Sequence, residues 1–140
     1  MNRLKQYLDD PQCRGAVRSA GGEVRLFRRR GVADLYELSA SEPGFLRGGA
    51  AADKVVGRGA ALLFVRGAVA ELYARVISTG ALSVLRRAGV RVEYGEEVPH
   101  IVNRAGTGIC PVERLTAATD DPDEAFMLIK QFVETQKQER

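Results

Sequence analysis

The stretch VAELYARVISTGALSVLRRAGVRVEY, residues 69–94, decides the fold class of this chain. Its first nine residues form a mixed apolar run that is typical of a strand buried on both faces. Ser78 then caps a helix whose leucines form an inward-facing stripe, and Gly89 ends that helix. The last five residues alternate between apolar and polar side chains, which predicts another strand. A strand, a helix and a strand in this order predict an α/β fold with right-handed crossovers.

Weaker signals predict the elements on either side of this unit. Before it, we expect an amphipathic helix over residues 1–8 and two antiparallel strands over 23–28 and 32–38. An irregular connection over 39–52 and a further helix over 53–64 follow. After it, we expect a fifth strand over residues 99–103 and a helix over 111–118 that starts with proline. A C-terminal helix with a frayed tail should cover 121–140. Residues 1–140 should therefore form a single domain, a three-layer α/β/α sandwich with a mixed sheet of about five strands.

Two glycines interrupt the helix that Asp53 is predicted to cap. Gly57 and Gly59 lower its helix propensity, so a second effect must favour them at these positions. Glycines on one helix usually mean that another part of the chain packs unusually close to its backbone. The pattern predicts such a contact without identifying the partner.

A glycine-studded loop, NRAGTGICPVE over residues 103–113, delivers a thiol and a carboxylate to a helix start. If Pro111 takes the first helical position, Cys110 becomes the N-cap and Glu113 falls at N3, the spacing of a capping box. The helix dipole lowers the pKa of a thiol at that position and favours its reactivity. The loop therefore predicts a functional site, and a well-made helix start is the alternative interpretation.

Composition limits the class of protein. The 140 residues are 45% hydrophobic and 28% charged, as in ordinary globular domains. A net charge of +3 is too mildly basic to indicate nucleic-acid binding, and the run of Arg28, Arg29 and Arg30 fits a solvated hairpin end. No apolar run approaches a membrane span, and no secretory signal pattern is present. Because Cys13 and Cys110 lack metal-ligand spacing, we expect a cytoplasmic protein with free thiols, with a disulfide as the alternative.

Three blocks of the sequence form a specific combination. They are ADKVVGRGAALL over 52–63, VIS followed by AL within 76–82, and VPHIVNR leading to CP and a glutamate within 98–113. Together they resemble an uncharacterised family, the domain of unknown function 1893, over residues 23–116. The resemblance implies the cytidine-deaminase-like fold and a pocket, without an established activity.

Zinc-dependent deaminases of that fold need residues that this sequence lacks. They place His or Cys two residues before Glu at one helix start and Pro-Cys-x-x-Cys at the next. The first of these positions holds Asp53 and Lys54 here, and the second aligns Arg75 and Ser78 with the two thiolates. Arginine cannot bind zinc, so we expect no metal site and no cofactor.

Polar side chains gather at these helix starts and predict a binding site for a small ligand. The candidate binding residues are Asp53, Lys54, Ser78, Thr79, Asn103 and Glu113. Free backbone N–H groups and the helix dipole would favour an anionic or carbonyl-bearing ligand. The implied fold suggests a nucleoside or nucleotide. Each residue alone could be a cap or a solvated side chain, so the hypothesis requires them to converge, together with Cys110, in one cleft.

Two other classes of function stay open. In a cysteine-dependent enzyme, Cys110 would be the catalytic nucleophile, and His100 is the sole histidine that could act as a base. An RNA- or protein-interaction module is indicated only by the basic pI and the arginine run. The sequence predicts no membrane partner, and it decides neither whether the chain is an enzyme nor whether it forms a homo-oligomer.

Overall fold

The computed structural model describes residues 1–29, 31–102, 106 and 108–138. Its elements, in chain order, are α1 (Asn2–Gln6), a 3₁₀ turn (Tyr7–Asp9), β1 (Gly15–Arg18), β2 (Val24–Phe27), α2 (Ala33–Ser41), β3 (Ala50–Val56), α3 (Arg58–Arg66), β4 (Glu71–Ser78), α4 (Thr79–Arg87), β5 (Arg91–Val98), α5 (Pro111–Leu115) and α6 (Pro122–Gln138).

The strands form one mixed sheet of five strands in the order β2-β1-β3-β4-β5. β1 is antiparallel to both β2 and β3, whereas β3, β4 and β5 run parallel. α3 and α4 connect the parallel strands, because such pairs need crossover connections rather than tight turns. The predicted α/β class and mixed five-stranded sheet are confirmed.

The main hydrophobic core lies between one face of the sheet and α2 to α6. Phe64 on α3 is the largest of its fully buried side chains. Side chains alternate across the sheet, so Ala51 faces this core while Ala52 faces the opposite side. There Leu4 of α1 and Leu8 of the 3₁₀ turn complete a smaller buried cluster. Helices therefore lie on both faces, and within the described residues none is long and apolar enough to cross a membrane.

The predicted strand over 32–38 is wrong, because Ala33–Ser41 forms α2. Leu35 and Leu38 are buried at helical spacing. In the first turn of this helix, the Asp34 carboxylate accepts hydrogen bonds from the backbone amides of Arg28 at 2.8 Å and Arg29 at 2.9 Å. The antiparallel neighbour of β2 is instead β1, a four-residue strand for which we predicted no element.

The predicted connection over 39–52 and helix over 53–64 are also wrong in their bounds. Ala50–Val56 is β3, the central strand, and the helix begins only at Arg58. Alanine is depleted in strands, but here the small side chains of Ala51 and Ala52 are buried in the hydrophobic clusters on the two faces of the sheet. Consequently Gly57, and not Asp53, is the N-cap of α3.

The predicted fifth strand over 99–103 is reduced to an isolated bridge between Val102 and Ile109. β5 extends further than predicted, to Val98. Asn103 lies outside the described residues, so the structure does not place this candidate. The helix starts predicted at Pro111 and Pro122 are confirmed.

Candidate functional site

Glu113 lies at the centre of the polar cluster that the helix starts form. Its side chain is only 6% exposed. Oε1 accepts hydrogen bonds from the backbone N–H of Arg58 at 2.7 Å and from the hydroxyl of Ser78 at 2.8 Å. Oε2 accepts a third from the backbone N–H of Ile101 at 2.7 Å. One carboxylate of α5 thus joins the start of α3, the N-cap of α4 and the base of the loop over 101–110, and its burial is compensated by these donors.

The predicted capping box at α5 is not formed. Cys110 does occupy the N-cap and Pro111 the first turn, but the cap makes no side-chain hydrogen bond. The backbone N–H of Cys110 donates to the carbonyl of Ile101 at 2.8 Å, so Glu113 is not needed there. Glu113 binds helices that are distant in sequence instead.

Arg58 makes the converse contact, from the start of α3 to the end of α5. Its guanidinium donates to the carbonyls of Thr116 at 3.0 Å and Thr119 at 2.6 Å. It also pairs with the carboxylate of Asp120. These carbonyls follow the last turn of a helix, where partners for free acceptors are otherwise missing. The sequence analysis did not select Arg58, although its position between two glycines of a motif block was a usable signal.

The close helix contact predicted from Gly57 and Gly59 is confirmed, and its partner is α5. A Cβ built on Gly59 would lie 2.4 Å from Cγ1 of Val112. A Cβ built on Gly57 would lie 3.1 Å from Oε1 of Glu113. The glycines therefore let α5 approach closely enough for the Glu113 carboxylate to reach the first amide of α3.

Ser78 and Thr79 both use their hydroxyls within the fold. Ser78 is confirmed as the N-cap of α4, because its Oγ accepts from the N–H of Ala81 at 3.2 Å while donating to Glu113. Thr79 Oγ1 donates to the carboxylate of Glu97 on β5 at 2.9 Å. Of the predicted binding residues, Ser78 and Glu113 are thus in direct contact.

Asp53 lies apart from these contacts, in the middle of the central strand. Its register neighbours are Gly15 on β1 and Ala74 on β4, which are both small. The nearest described hydrogen bond is long, with the Val55 amide donating to Oδ1 at 3.3 Å. Burial raises the pKa of the Asp53 carboxyl to about 7, against smaller opposing effects of backbone N–H groups and Arg14. At neutral pH this carboxyl is therefore partly protonated.

The remaining candidates are Lys54, His100 and Cys110. Lys54 Nζ donates to the carbonyl of Asp10 at 3.2 Å, on the α1 side of the sheet. His100 Nδ1 lies 3.9 Å from Oε2 of Glu113, with its side chain 63% exposed. Cys110 is half-buried against the main core and Cys13 is buried, and the structure has no disulfide between these two cysteines.

The described part of the arginine run is used within the fold. The Arg29 guanidinium donates to Asp34 and to Glu37, each at 2.6 Å. Arg30 lies outside the described residues. Within the ranges that the structure describes, no group of three or more His, Cys, Asp or Glu side chains is placed to hold a metal ion.

The fold and the buried polar cluster define a mixed α/β domain whose helix starts are joined by an internal carboxylate. The model of the family described as "Domain of unknown function (DUF1893)" matches residues 6–133, and the chain belongs to this family. Among solved structures it is similar to a DUF1893 family protein (TM1506) from Thermotoga maritima, with a TM-score of 0.83 and 24% identity. That match covers 93% of this chain and 87% of the other. Comparison with curated proteins gives no match.

Proposed function

We propose that this protein is a zinc-independent, three-layer member of the cytidine-deaminase-like fold, and that it binds a small uncharged ligand of the nucleoside class. The ligand lies beside β3, in contact with the Asp53 carboxyl. Asp53 makes the direct contact. Ser78 and Glu113 hold the surrounding helix starts and the base of the loop over 101–110.

The observation that carries the proposal is the environment of Asp53. A carboxyl on the central strand, with no described ion pair and a raised pKa, opposes folding at neutral pH. Groups perturbed by burial in this way are concentrated at functional sites. A Cβ on Gly15 would lie 3.3 Å from Oδ2 of Asp53, so glycine at this register position lets the carboxyl pack directly against the backbone of β1.

The charges in this region favour an uncharged ligand over the anionic one that the sequence suggested. The first amide of α3 already donates to Glu113, and the amide of Ala81 in α4 already donates to Ser78. A phosphate would therefore find these donors in use and would meet the Glu113 carboxylate. The protonated form of the Asp53 carboxyl, favoured by its raised pKa, instead both donates and accepts hydrogen bonds, as pairing with a nucleobase edge requires.

Isothermal titration calorimetry with the four ribonucleosides and their 5′-monophosphates tests this function. We expect at least one nucleoside to bind, its monophosphate to bind no more tightly, and Asp53→Ala to abolish binding. Asp123→Asn, at an 84% exposed carboxylate on α6, is the matched control and should bind normally. Binding that survives Asp53→Ala, or tighter binding of every monophosphate, would overturn the proposal.

The cysteine-dependent alternative has less support in the geometry. Cys110 begins a helix of five residues and packs against the main core, and no base is described in hydrogen-bonding contact with its thiol. The alternative of an RNA- or protein-interaction module is based on the basic pI and the arginine run, and within that run Arg29 is paired with acidic side chains.

A further inference from the structure

A separate cavity of about 270 Å³ lies at the opposite end of the sheet, where the parallel strands begin. Its floor consists of residues with no side chain or a single methyl group, among them Gly49, Ala50 and Ala70. Gly49 cannot be larger, because a Cβ there would lie 2.2 Å from the carbonyl oxygen of Arg18. The small floor leaves room beneath the charged side chains at the rim.

Those charged side chains belong to one row across four strands. Arg18 pairs in register with Ala50, Ala50 with Glu71, and Glu71 with Arg91. Paired residues of adjacent strands project from the same face, so two guanidiniums flank one carboxylate above the Ala50 gap. Arg18 and Glu71 are half-buried, with side chains 33% and 28% exposed, whereas the Arg91 side chain is 86% exposed.

The charged groups of this row lie further apart than those of most other ion pairs in the described residues. The Arg18–Glu71 and Arg91–Glu71 contacts measure 3.9 Å and 3.8 Å. By comparison, Arg25 lies 2.6 Å from Glu42. At 3.8–3.9 Å a guanidinium and a carboxylate do not hydrogen-bond directly. Arg18, Glu71 and Arg91 all line the cavity, so a ligand there could engage their side chains.

We propose that this cavity binds a small zwitterion that carries an ammonium and a carboxylate on the same carbon atom, the chemistry of an α-amino acid. The ligand carboxylate pairs with the planar fork of Arg18 or Arg91, and the ammonium pairs with Glu71. A simple anion would also meet Glu71, and a simple cation would also meet two arginines. The cavity is smaller than a typical drug-sized pocket, which limits the ligand to a small amino acid.

NMR titration of the isotopically labelled chain with glycine, L-alanine and L-serine tests the proposal. We expect saturable shifts of the Ala50, Ala70 and Glu71 amide resonances with at least one of them. Acetate, methylammonium and inorganic phosphate should bind at least about tenfold more weakly, because each satisfies only one sign of charge. Arg18→Gln and Glu71→Gln should each weaken binding by about tenfold or more.

Arg87→Gln is the control, because Arg87 forms a comparably long pair with Asp120, 3.7 Å away on another surface. It should leave binding unchanged. Unchanged thermal unfolding of Arg18→Gln and Glu71→Gln would show that both fold. The proposal fails if none of the three amino acids gives saturable shifts, if acetate or phosphate binds as tightly, or if Arg18→Gln binds normally.

Discussion

Glu113 and Arg58 each bind the helix that carries the other. The Glu113 carboxylate on α5 accepts from the first amide of α3, while the Arg58 guanidinium on α3 donates to the carbonyls that follow α5. This reciprocal pair holds the five-residue α5 at both ends. Hydrogen bonds to charged groups are worth about 1.5–3 kcal/mol each, so the pair is a substantial part of the stability of one domain.

Glu113→Gln should destabilise the protein although it preserves the shape of the side chain. The amide nitrogen of glutamine would face an N–H group of Arg58 or Ile101 and leave a buried donor unsatisfied. We expect urea unfolding to show a loss of about 2–3 kcal/mol. Glu96→Gln, at an exposed position on β5, should change stability by no more than about 0.5 kcal/mol. Equal effects of the two substitutions would remove the special role of Glu113.

Gly59→Ala and Gly80→Ala should have opposite effects on stability. Both glycines are the second residue of a nine-residue helix, so alanine should improve helix propensity equally, by up to about 1 kcal/mol. A Cβ on Gly80 meets only ordinary contacts with Arg58 at 3.7 Å or more, whereas one on Gly59 overlaps Val112. We expect Gly80→Ala to raise the thermal midpoint and Gly59→Ala to cost about 1–3 kcal/mol. A stabilising Gly59→Ala would contradict the close packing of α5.

Asp53→Asn should change the pH dependence of stability. An unfolded aspartate titrates near pH 4, while the folded carboxyl has a pKa of about 7. Between these values the folded state binds more protons, so its stability falls as the pH rises. Asparagine keeps the acceptor for the Val55 amide but does not titrate. We compare the free energy of unfolding of the variant with that of the parent at each pH. From pH 5 to pH 8, this difference should shift by about 1–3 kcal/mol in favour of the variant.

If the stability of Asp53→Asn and that of the parent changed equally with pH, the pKa of the Asp53 carboxyl would not be raised. If the variant is more stable above pH 7 but no longer binds the nucleoside, the residue is retained for binding rather than for folding. That combination separates a functional aspartate from a structural one.

The two thiols should differ in reactivity in the native state. Cys13 is 1% exposed and donates to the carbonyl of Gly15 at 3.3 Å, and burial raises its pKa. Cys110 is half-buried at the loop base. A thiol reagent should modify Cys110 at least about tenfold faster than Cys13, as measured by mass spectrometry of digested peptides. Faster modification of Cys13 would contradict its placement.

Several features of the fold were predictable from local chemistry. Ser78 and Gly89 each mark one end of α4 through their own local chemistry, and both positions were predicted correctly. The parallel strand and helix unit followed from those signals. By contrast, β1 has four residues, and β3 begins with Ala50, Ala51 and Ala52, so neither shows the β-branched alternation of an ordinary strand.

The candidate site was predictable in composition but not in its connections. The sequence placed Glu113 at the third position of a helix, which is correct, and assigned it a local partner, which is wrong. Its actual partner Arg58 is 55 residues away and is reached only because the sheet brings α3 beside α5. Local spacing contains no information on such a contact, although Gly57 and Gly59 indicated that one existed.

Amide hydrogen exchange in the Glu113→Ala variant tests whether this carboxylate holds the start of α3 and the loop base together. We expect the N–H groups of Arg58 and Ile101 to exchange at least about tenfold faster than in the parent, once the change in global stability is subtracted. The amide of Ala125 in α6, which donates to Asp121, should follow global stability alone. Unchanged protection of Arg58 and Ile101 after this correction would contradict the account.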